Sequence, residues 1–564
     1  MKIIIVGGVA GGATAAARLR RLDENAEIII LERTGFVSYA NCGLPYYIGG
    51  TITDESALTL QTPESFKRRF RIDVRVHNEV TAIDVAGKSV SVTRTEDGST
   101  YRETYDKLIL APGAQAVRPD TPGIDDPRIV TLRTVEDTLA IHERIATAKP
   151  TRAAIVGGGF IGLEMAENLI EAGIPTTLLQ RSAQVLPPID YDMACQVHAY
   201  LRDHGLDLRL NTPIESYEPL EDGVRVHLAD GEFLDADLVL LAIGVVPETH
   251  LAREAGLTLG QKGSIVTDEH MRTSSPDIWA VGDAVEIKRL VADQRGLIAL
   301  AGPANRQGRI AADDICGRPS SYAGSLGSSV IKLFDMTVAS TGLSEKGAQA
   351  AGIAYDTVVT FSPSHATYYP GATSMTIKTL FAPDTGRILG AQIVGFDGVD
   401  KRIDVMATAI LAGMTGDDIA ELDLAYAPPF SSAKDPVNMA GFVIGNVRDG
   451  LVRQFTWHDL ADLPRDGSVT LLDVRSADEF AGGHFEGAVN IPLDSLREHL
   501  DELDVEKPLY VNCFSGLRSY IACRILAQHG FSCYNFSGGY RFYRAIEQDS
   551  SFDATPRHPC GVSI

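Results

Sequence analysis

The chain has 564 residues, 51 Lys and Arg against 74 Asp and Glu, and a formal charge of −23. With 45% hydrophobic and 22% charged residues it is neither a disordered nor a fibrous composition, and the length predicts roughly three or four domains, each with its own core. The acidic excess leaves little long-range attraction for nucleic acid or anionic lipid, although a local basic pocket can still hold an anion.

The longest apolar run, Leu238 to Val246, is about half of what a bilayer requires, so no membrane span is expected. The seven cysteines form no CxxC pair and no Cys/His cluster at zinc spacing. An odd number of unpaired thiols argues against a secreted disulfide framework and against a metal, and predicts a reduced, cytoplasmic protein.

In chain order, Lys2 to Val6 reads as a buried strand, not a signal peptide, because it runs into Gly7-Gly8-Val9-Ala10-Gly11-Gly12 and a helix carrying the basic segment Arg18 to Arg21. Such a turn lets a pyrophosphate approach backbone N–H groups at a helix N-terminus. The second strand, Glu27 to Leu31, ends at Glu32, where a carboxylate can accept ribose hydroxyls. Val9 takes the place of the usual middle glycine and weakens this first match. The second match is unbroken: Ala153 to Val156 leads into Gly157-Gly158-Gly159-Phe160-Ile161-Gly162 and a helix. Here the acidic residue after the next strand is replaced by Gln180-Arg181. Gln180 can hydrogen-bond a ribose without repelling a 2′-phosphate, and Arg181 can pair with one.

Between Glu32 and a helix expected to begin near Leu44 lies Ser38-Tyr39-Ala40-Asn41-Cys42-Gly43-Leu44-Pro45-Tyr46. A thiol at a helix N-terminus is stabilised as thiolate, the nucleophilic form. No second cysteine lies close to it in the chain, and five residues on stands Tyr47. The oxidised form of Cys42 is therefore a sulfenic acid or a mixed disulfide with a small thiol.

Near the C-terminus, Leu509 to Asn512 reads as a strand, Cys513-Phe514-Ser515-Gly516-Leu517-Arg518 as a loop, and Tyr520 to His529 as a helix. Such a loop aims several N–H groups and the Arg518 guanidinium at the Cys513 sulfur, a cradle for a thiolate or a persulfide anion.

The two glycine motifs, with Leu110-Ala111-Pro112-Gly113-Ala114, Leu241-Ala242-Ile243-Gly244 and Ile278-Trp279-Ala280-Val281-Gly282-Asp283-Ala284, resemble the flavoprotein disulfide reductases that bind two dinucleotides. The resemblance implies FAD at Gly7, Gly12 and Glu32, with Asp283 at its ribityl chain. It implies NAD(P)H at Gly157, Gly159, Gly162 and Gln180, with NADH favoured. Within that superfamily, Ser38-x-x-Asn41-Cys42-x-x-Pro45-Tyr46 is similar to the coenzyme A-disulfide reductases more than to the NADH oxidases and peroxidases. This implies a homodimer in which Tyr368 and Tyr426 reach the other subunit's cysteine as proton donors. Ser38, Asn41, Arg18 and Arg21 are then the candidate contacts for coenzyme A.

Leu472-Asp473-Val474-Arg475, the segment Gly483-His484 to Pro492 and the Cys513 loop resemble a rhodanese domain; tyrosine phosphatases also use a Cys-to-Arg loop, but one residue longer. The fold expected is α/β: two Rossmann-like dinucleotide-binding domains, an α+β dimerisation domain and a C-terminal α/β rhodanese domain. The boundaries expected are FAD 1–112 and 246–322, NAD(P)H 113–245, dimerisation 323–447, linker 448–460 and rhodanese 461–564. The function expected is an NAD(P)H-dependent, FAD-dependent reductase of CoA persulfide, CoA disulfide and polysulfide sulfur. Cys42 works at the flavin, and Cys513, with Arg518, transfers sulfane sulfur. The alternatives are an NADH oxidase or peroxidase with a rhodanese tail, and a sulfur-relay or redox-sensing protein. Cys560, near the chain end, has no assigned role.

Overall fold

The computed structural model describes residues 1–552; Cys560 lies outside them. The chain divides into two compact units, residues 1–181 with 205–327, and residues 182–204 with 328 onward.

The first unit holds two five-stranded sheets of the same design. In one, the strand order is Ile278–Ala280, Lys107–Leu110, Lys2–Val6, Glu27–Leu31, Asp73–Arg75, and every pair is parallel. In the other it is Asp207–Arg209, Thr176–Leu179, Ala153–Val156, Leu238–Leu241, Ile129–Thr131, again all parallel. Such strands are covered on both faces, so they read as continuous apolar runs. Ile3, Ile4 and Ile5 are each 0% exposed, and each contributes roughly 2 kcal/mol by burial. In both sheets the first strand of a glycine motif is flanked on its two sides by strands that precede and follow a crossover. Ligands bind at the carboxyl edge of such a switch point, and both glycine turns lie there.

The second unit begins with an antiparallel sheet ordered Ser329–Leu333, Met336–Gly342, Ile388–Gly395, Ser374–Phe381, Asp356–Pro363, accompanied by the helices Val399–Ala412 and Pro436–Arg448. A parallel sheet follows, ordered Arg453–Phe455, Cys533–Phe536, Leu509–Asn512, Thr470–Asp473, Val489–Asn490. The helix Tyr191–Asp203, which the sequence groups with the NAD(P)H domain, packs in this unit. Lys378, 1% exposed, explains part of that placement: its ammonium meets Asp192 at 2.6 Å, Asp190 at 3.1 Å and also Glu345. Trp457 Nε1 donates to the same Asp192 at 3.0 Å. Among the described residues no helix is long and apolar enough to cross a membrane.

Candidate nucleotide clefts and cysteine sites

Gly7 has φ +93°, and a Cβ there would lie 2.1 Å from the Ala111 carbonyl oxygen; one on Gly12 would lie 2.0 Å from the Gly7 oxygen. The turn is therefore closed to any side chain, and it brings the helix Ala10–Leu22 close against the strand. That helix has no side-chain cap and no acidic residue in its first turn. By contrast, Pro63–Phe70 and Val135–Ala148 are capped by Thr62 and Thr134. Open N–H groups without a competing carboxylate suit a phosphate. Glu32, buried, accepts from Gly8 N–H at 2.9 Å and from Thr34 N–H at 3.0 Å.

A cleft is lined by Gly7, Glu32, Asn41, Pro112, Arg133 and Glu248. Asn41 Oδ1 is buried there without a hydrogen-bond partner. An uncapped helix, a buried carboxylate and an orphaned amide oxygen fit FAD. Asp283 is held by Arg133, Nη2 to Oδ2 at 2.6 Å, while Arg133 Nε donates to the Ala114 carbonyl at 3.0 Å. Arg133 was not legible as a site residue, because its partner is 150 positions away.

The second turn repeats the design. Gly157 has φ +108°, and a Cβ on Gly162 would lie 2.0 Å from the Gly157 oxygen, whereas one on Gly159 meets nothing within 4 Å. Gly159 is the N-cap of Phe160–Glu171, which again has no side-chain cap and no acid in its first turn. Gly158 N–H donates to Gln180 Oε1 at 2.9 Å, the counterpart of Gly8 and Glu32. Arg181 is exposed. These residues fit a nicotinamide dinucleotide.

Cys42 lies in the 3₁₀ turn Asn41–Gly43, directly before the helix Leu44–Ile48, and its side chain is exposed. The expected lowering of its pKa by the helix end is overturned. The surrounding protein pushes the thiol up, Glu164 and Asp283 push it further, and Arg133 opposes them. Burial is the largest of these causes. Burial and Glu167 in turn push the Glu164 carboxyl up to about 7. Ser38, at φ 51°, donates its N–H to the Gly8 carbonyl at 2.8 Å, tying the Cys42 loop to the first glycine turn. Arg18 is not free for a coenzyme A phosphate, being paired with Asp313 at 2.7 Å. Arg21 is exposed.

Tyr368 and Tyr426 come together although 58 positions apart, their hydroxyls 2.7 Å from one another. They are 74% and 46% exposed, beside exposed Tyr369 and Phe430. Arg402, 1% exposed, fixes both loops by donating to the Ser364 carbonyl at 3.0 Å and to Ser431 Oγ and Asp435 Oδ2, each at 3.0 Å. The hydrogen bond to Tyr426 raises the Tyr368 pKa.

Cys513 is 0% exposed, and its sulfur accepts from Gly516 N–H at 3.1 Å and from Ser519 Oγ at 3.2 Å. Gly516, at φ +94°, turns the loop so that its N–H points inward. The expectation that Arg518 aims at the sulfur is corrected: both of its Nη atoms donate to Glu479, each at 2.7 Å. That pair holds the Glu479 carboxyl down to about 2, so it stays ionised and keeps the guanidinium. Ser519 supplies the donor instead; its place one residue after Arg518 was the available signal. Tyr540 and Arg541 N–H donate to the Cys513 and Phe514 carbonyls at 2.8 and 2.9 Å, closing the loop from below. Cys523 and Cys533 are buried, with Cys533 Sγ donating to the Cys523 carbonyl at 3.3 Å.

Comparison with known proteins adds three family matches: Pyridine nucleotide-disulphide oxidoreductase over residues 1–308, its dimerisation domain over 328–436, and a Rhodanese-like domain over 456–545. The Coenzyme A disulfide reductase of Staphylococcus haemolyticus is 36% identical over 445 residues, 78% of this chain and 98% of that protein. Among solved structures, reduced Bacillus anthracis CoADR-RHD superposes with a TM-score of 0.95 at 48% identity, over 97% of this chain and 98% of that one. An NAD-dependent persulfide reductase from A. fulgidus superposes with a TM-score of 0.90 at 38% identity, over 96% and 100%.

Proposed function

The chain belongs to the pyridine nucleotide-disulphide oxidoreductases and carries a rhodanese-like domain; on that premise we propose that it is an NAD(P)H-dependent reductase of coenzyme A persulfide, coenzyme A disulfide and polysulfide sulfur. It is an FAD-dependent oxidoreductase, and bound FAD and NAD(P)H supply the two electrons. The observation that carries the substrate reading is the pairing of two unlike thiols in one chain. Cys42 is exposed on the loop whose Asn41 lines the first cleft, and Cys513 is buried in a cradle of donors.

In this reading the Cys42 thiolate attacks the coenzyme A sulfur of the substrate. The bond formed is Cys42–S–S–CoA, and the bond broken releases hydrosulfide from a persulfide or CoA thiolate from a disulfide. Tyr368 and Tyr426 of a second copy supply the proton, since a phenol pair with one shared hydrogen bond keeps the other hydroxyl hydrogen free to donate. Two electrons then break the mixed disulfide. Cys513 takes sulfane sulfur from polysulfide, and Gly516 N–H and Ser519 stabilise the anionic sulfur. The exposed tyrosine patch supports a homodimer through the dimerisation domain. At the second glycine turn, uncharged Gln180 beside Arg181 supports use of NADPH as well as the NADH that the resemblance favours.

The test is anaerobic stopped-flow reduction with NADH and NADPH in parallel, then reoxidation with CoA persulfide, CoA disulfide, polysulfide or oxygen. Cys42→Ser is expected to abolish turnover of every thiol substrate. Cys513→Ala is expected to lose sulfur uptake from polysulfide and keep CoA-disulfide reduction. Full activity of Cys42→Ser, or reoxidation by oxygen faster than by any sulfur compound, refutes the reading.

A further inference from the structure

Three arginines stand around the Cys513 loop, and two are already neutralised. Arg518 is held by Glu479 and Arg475 by Asp473, the latter at 2.6 Å. Arg541 differs. Its backbone N–H closes the loop on the Phe514 carbonyl at 2.9 Å, and its guanidinium lies 5.0 Å from the Phe361 ring and 6.0 Å from the Phe514 ring. Its one side-chain hydrogen bond goes to Ser374 Oγ at 3.1 Å, and among the described residues no carboxylate pairs with it. Its side chain is exposed, and the surrounding protein lowers its pKa without an acid to counter that. A guanidinium flanked by two aromatic rings, with most of its donors unused and open to solvent, can take an anion. Arg544, exposed and also without a carboxylate partner among the described residues, follows three positions later on the same helix face. Towards the solvent, Phe514, Leu517 and Ile521 are 41%, 58% and 40% exposed, an apolar rim for an uncharged arm.

We propose that Arg541, with Arg544 behind it, is a second coenzyme A subsite: it holds the phosphate end of coenzyme A while the pantetheine arm crosses the apolar rim to the sulfur on Cys513. This rests on the reading of Cys513 as the sulfane-sulfur carrier and names its acceptor. In the step, the coenzyme A thiolate attacks the terminal sulfur of the Cys513 persulfide. A CoA–S–S bond forms, the S–S bond at Cys513 breaks, and Cys513 leaves as a thiolate received by Gly516 N–H and Ser519. No electrons are gained or lost overall.

The experiment loads Cys513 in the full-length protein with polysulfide, on a Cys42→Ser background, confirms one added sulfur by mass, and then chases with coenzyme A or with pantetheine, which has the same arm and no phosphate. Arg541→Gln is expected to raise the half-saturating concentration of coenzyme A about tenfold and leave that of pantetheine unchanged. Arg541→Lys recovers most of the loss, and salt weakens the coenzyme A chase alone in the wild type. Equal effects of Arg541→Gln on both acceptors, or none on either, overturn the subsite. If Cys513 takes up no sulfur in the first place, the carrier reading itself fails, and the two failures are told apart before the chase begins.

Discussion

At the scale of single residues, the charge that most governs Cys42 is Glu164. Its carboxyl is pushed up to about 7 by burial and by Glu167, and when ionised it raises the thiol pKa. Below about pH 7 Glu164 is neutral and spares Cys42, while above it the carboxylate appears where the thiol has to ionise. Glu164→Gln removes that like charge, so Cys42 should become a thiolate at lower pH. The pH profile of iodoacetamide alkylation should therefore shift down, and an unchanged or upward shift contradicts the coupling. The folded carboxyl lies above its ordinary value of 4.5, so the stability it contributes is present below that pH and lost as pH rises through about 7. Glu164→Gln should accordingly gain stability relative to wild type on the alkaline side only.

At the scale of elements, each nucleotide turn is a strand, a glycine turn and an uncapped helix, and the two copies can be broken one at a time. A Cβ on Gly12 or Gly162 meets a carbonyl oxygen of the preceding turn at 2.0 Å, so each alanine must push helix from strand. Gly12→Ala should yield protein without flavin absorbance. Gly162→Ala should keep the flavin colour and lose nucleotide affinity in a fluorescence titration, and loss of both ligands from either variant contradicts two independent sites. These turns were legible because glycine spacing and the apolar runs before them are local facts. So were Glu32 and Gln180, which end the neighbouring strand and reach back to the middle of each turn. What was not legible depends on distant pairing. Arg133 matters through Asp283, and Arg402 matters through loops on either side of it in sequence, near Ser364 and Ser431. Arg18 and Arg518 looked free in the sequence because a basic residue shows its charge but not the acid that folding brings to it.

At the scale of the whole molecule, the rhodanese-like domain is built into the second unit through its last described helix, Gly539–Phe552. The first turn of that helix closes the Cys513 loop, and Asp549, 4% exposed, lies near its other end. Tyr191 Oη donates to Asp549 at 2.9 Å and Arg202 Nη1 at 2.6 Å, with His198 Nδ1 at 3.1 Å, all from the helix Tyr191–Asp203. One helix thus joins the sulfur cradle to the helix Tyr191–Asp203. Burial opposes the Asp549 charge, but His198 and Arg202 outweigh it and hold the carboxyl down to about 2, against 3.8 ordinarily. Because the folded value is depressed, the stability from this anchor is complete above pH 3.8 and lost as pH falls through about 2. Asp549→Ala withdraws the carboxylate from buried His198 and partly buried Arg202, a change that costs about 3 kcal/mol, the low end for removing one partner of a buried pair. Hydrogen exchange followed by mass spectrometry at neutral pH should then show protection falling in 539–552 and in 191–203 together. Wild type should show the same paired loss only as the pH drops below 3.8. Exchange that rises in 539–552 while 191–203 stays protected contradicts a shared anchor, and would mean that the domain is held by its own sheet alone.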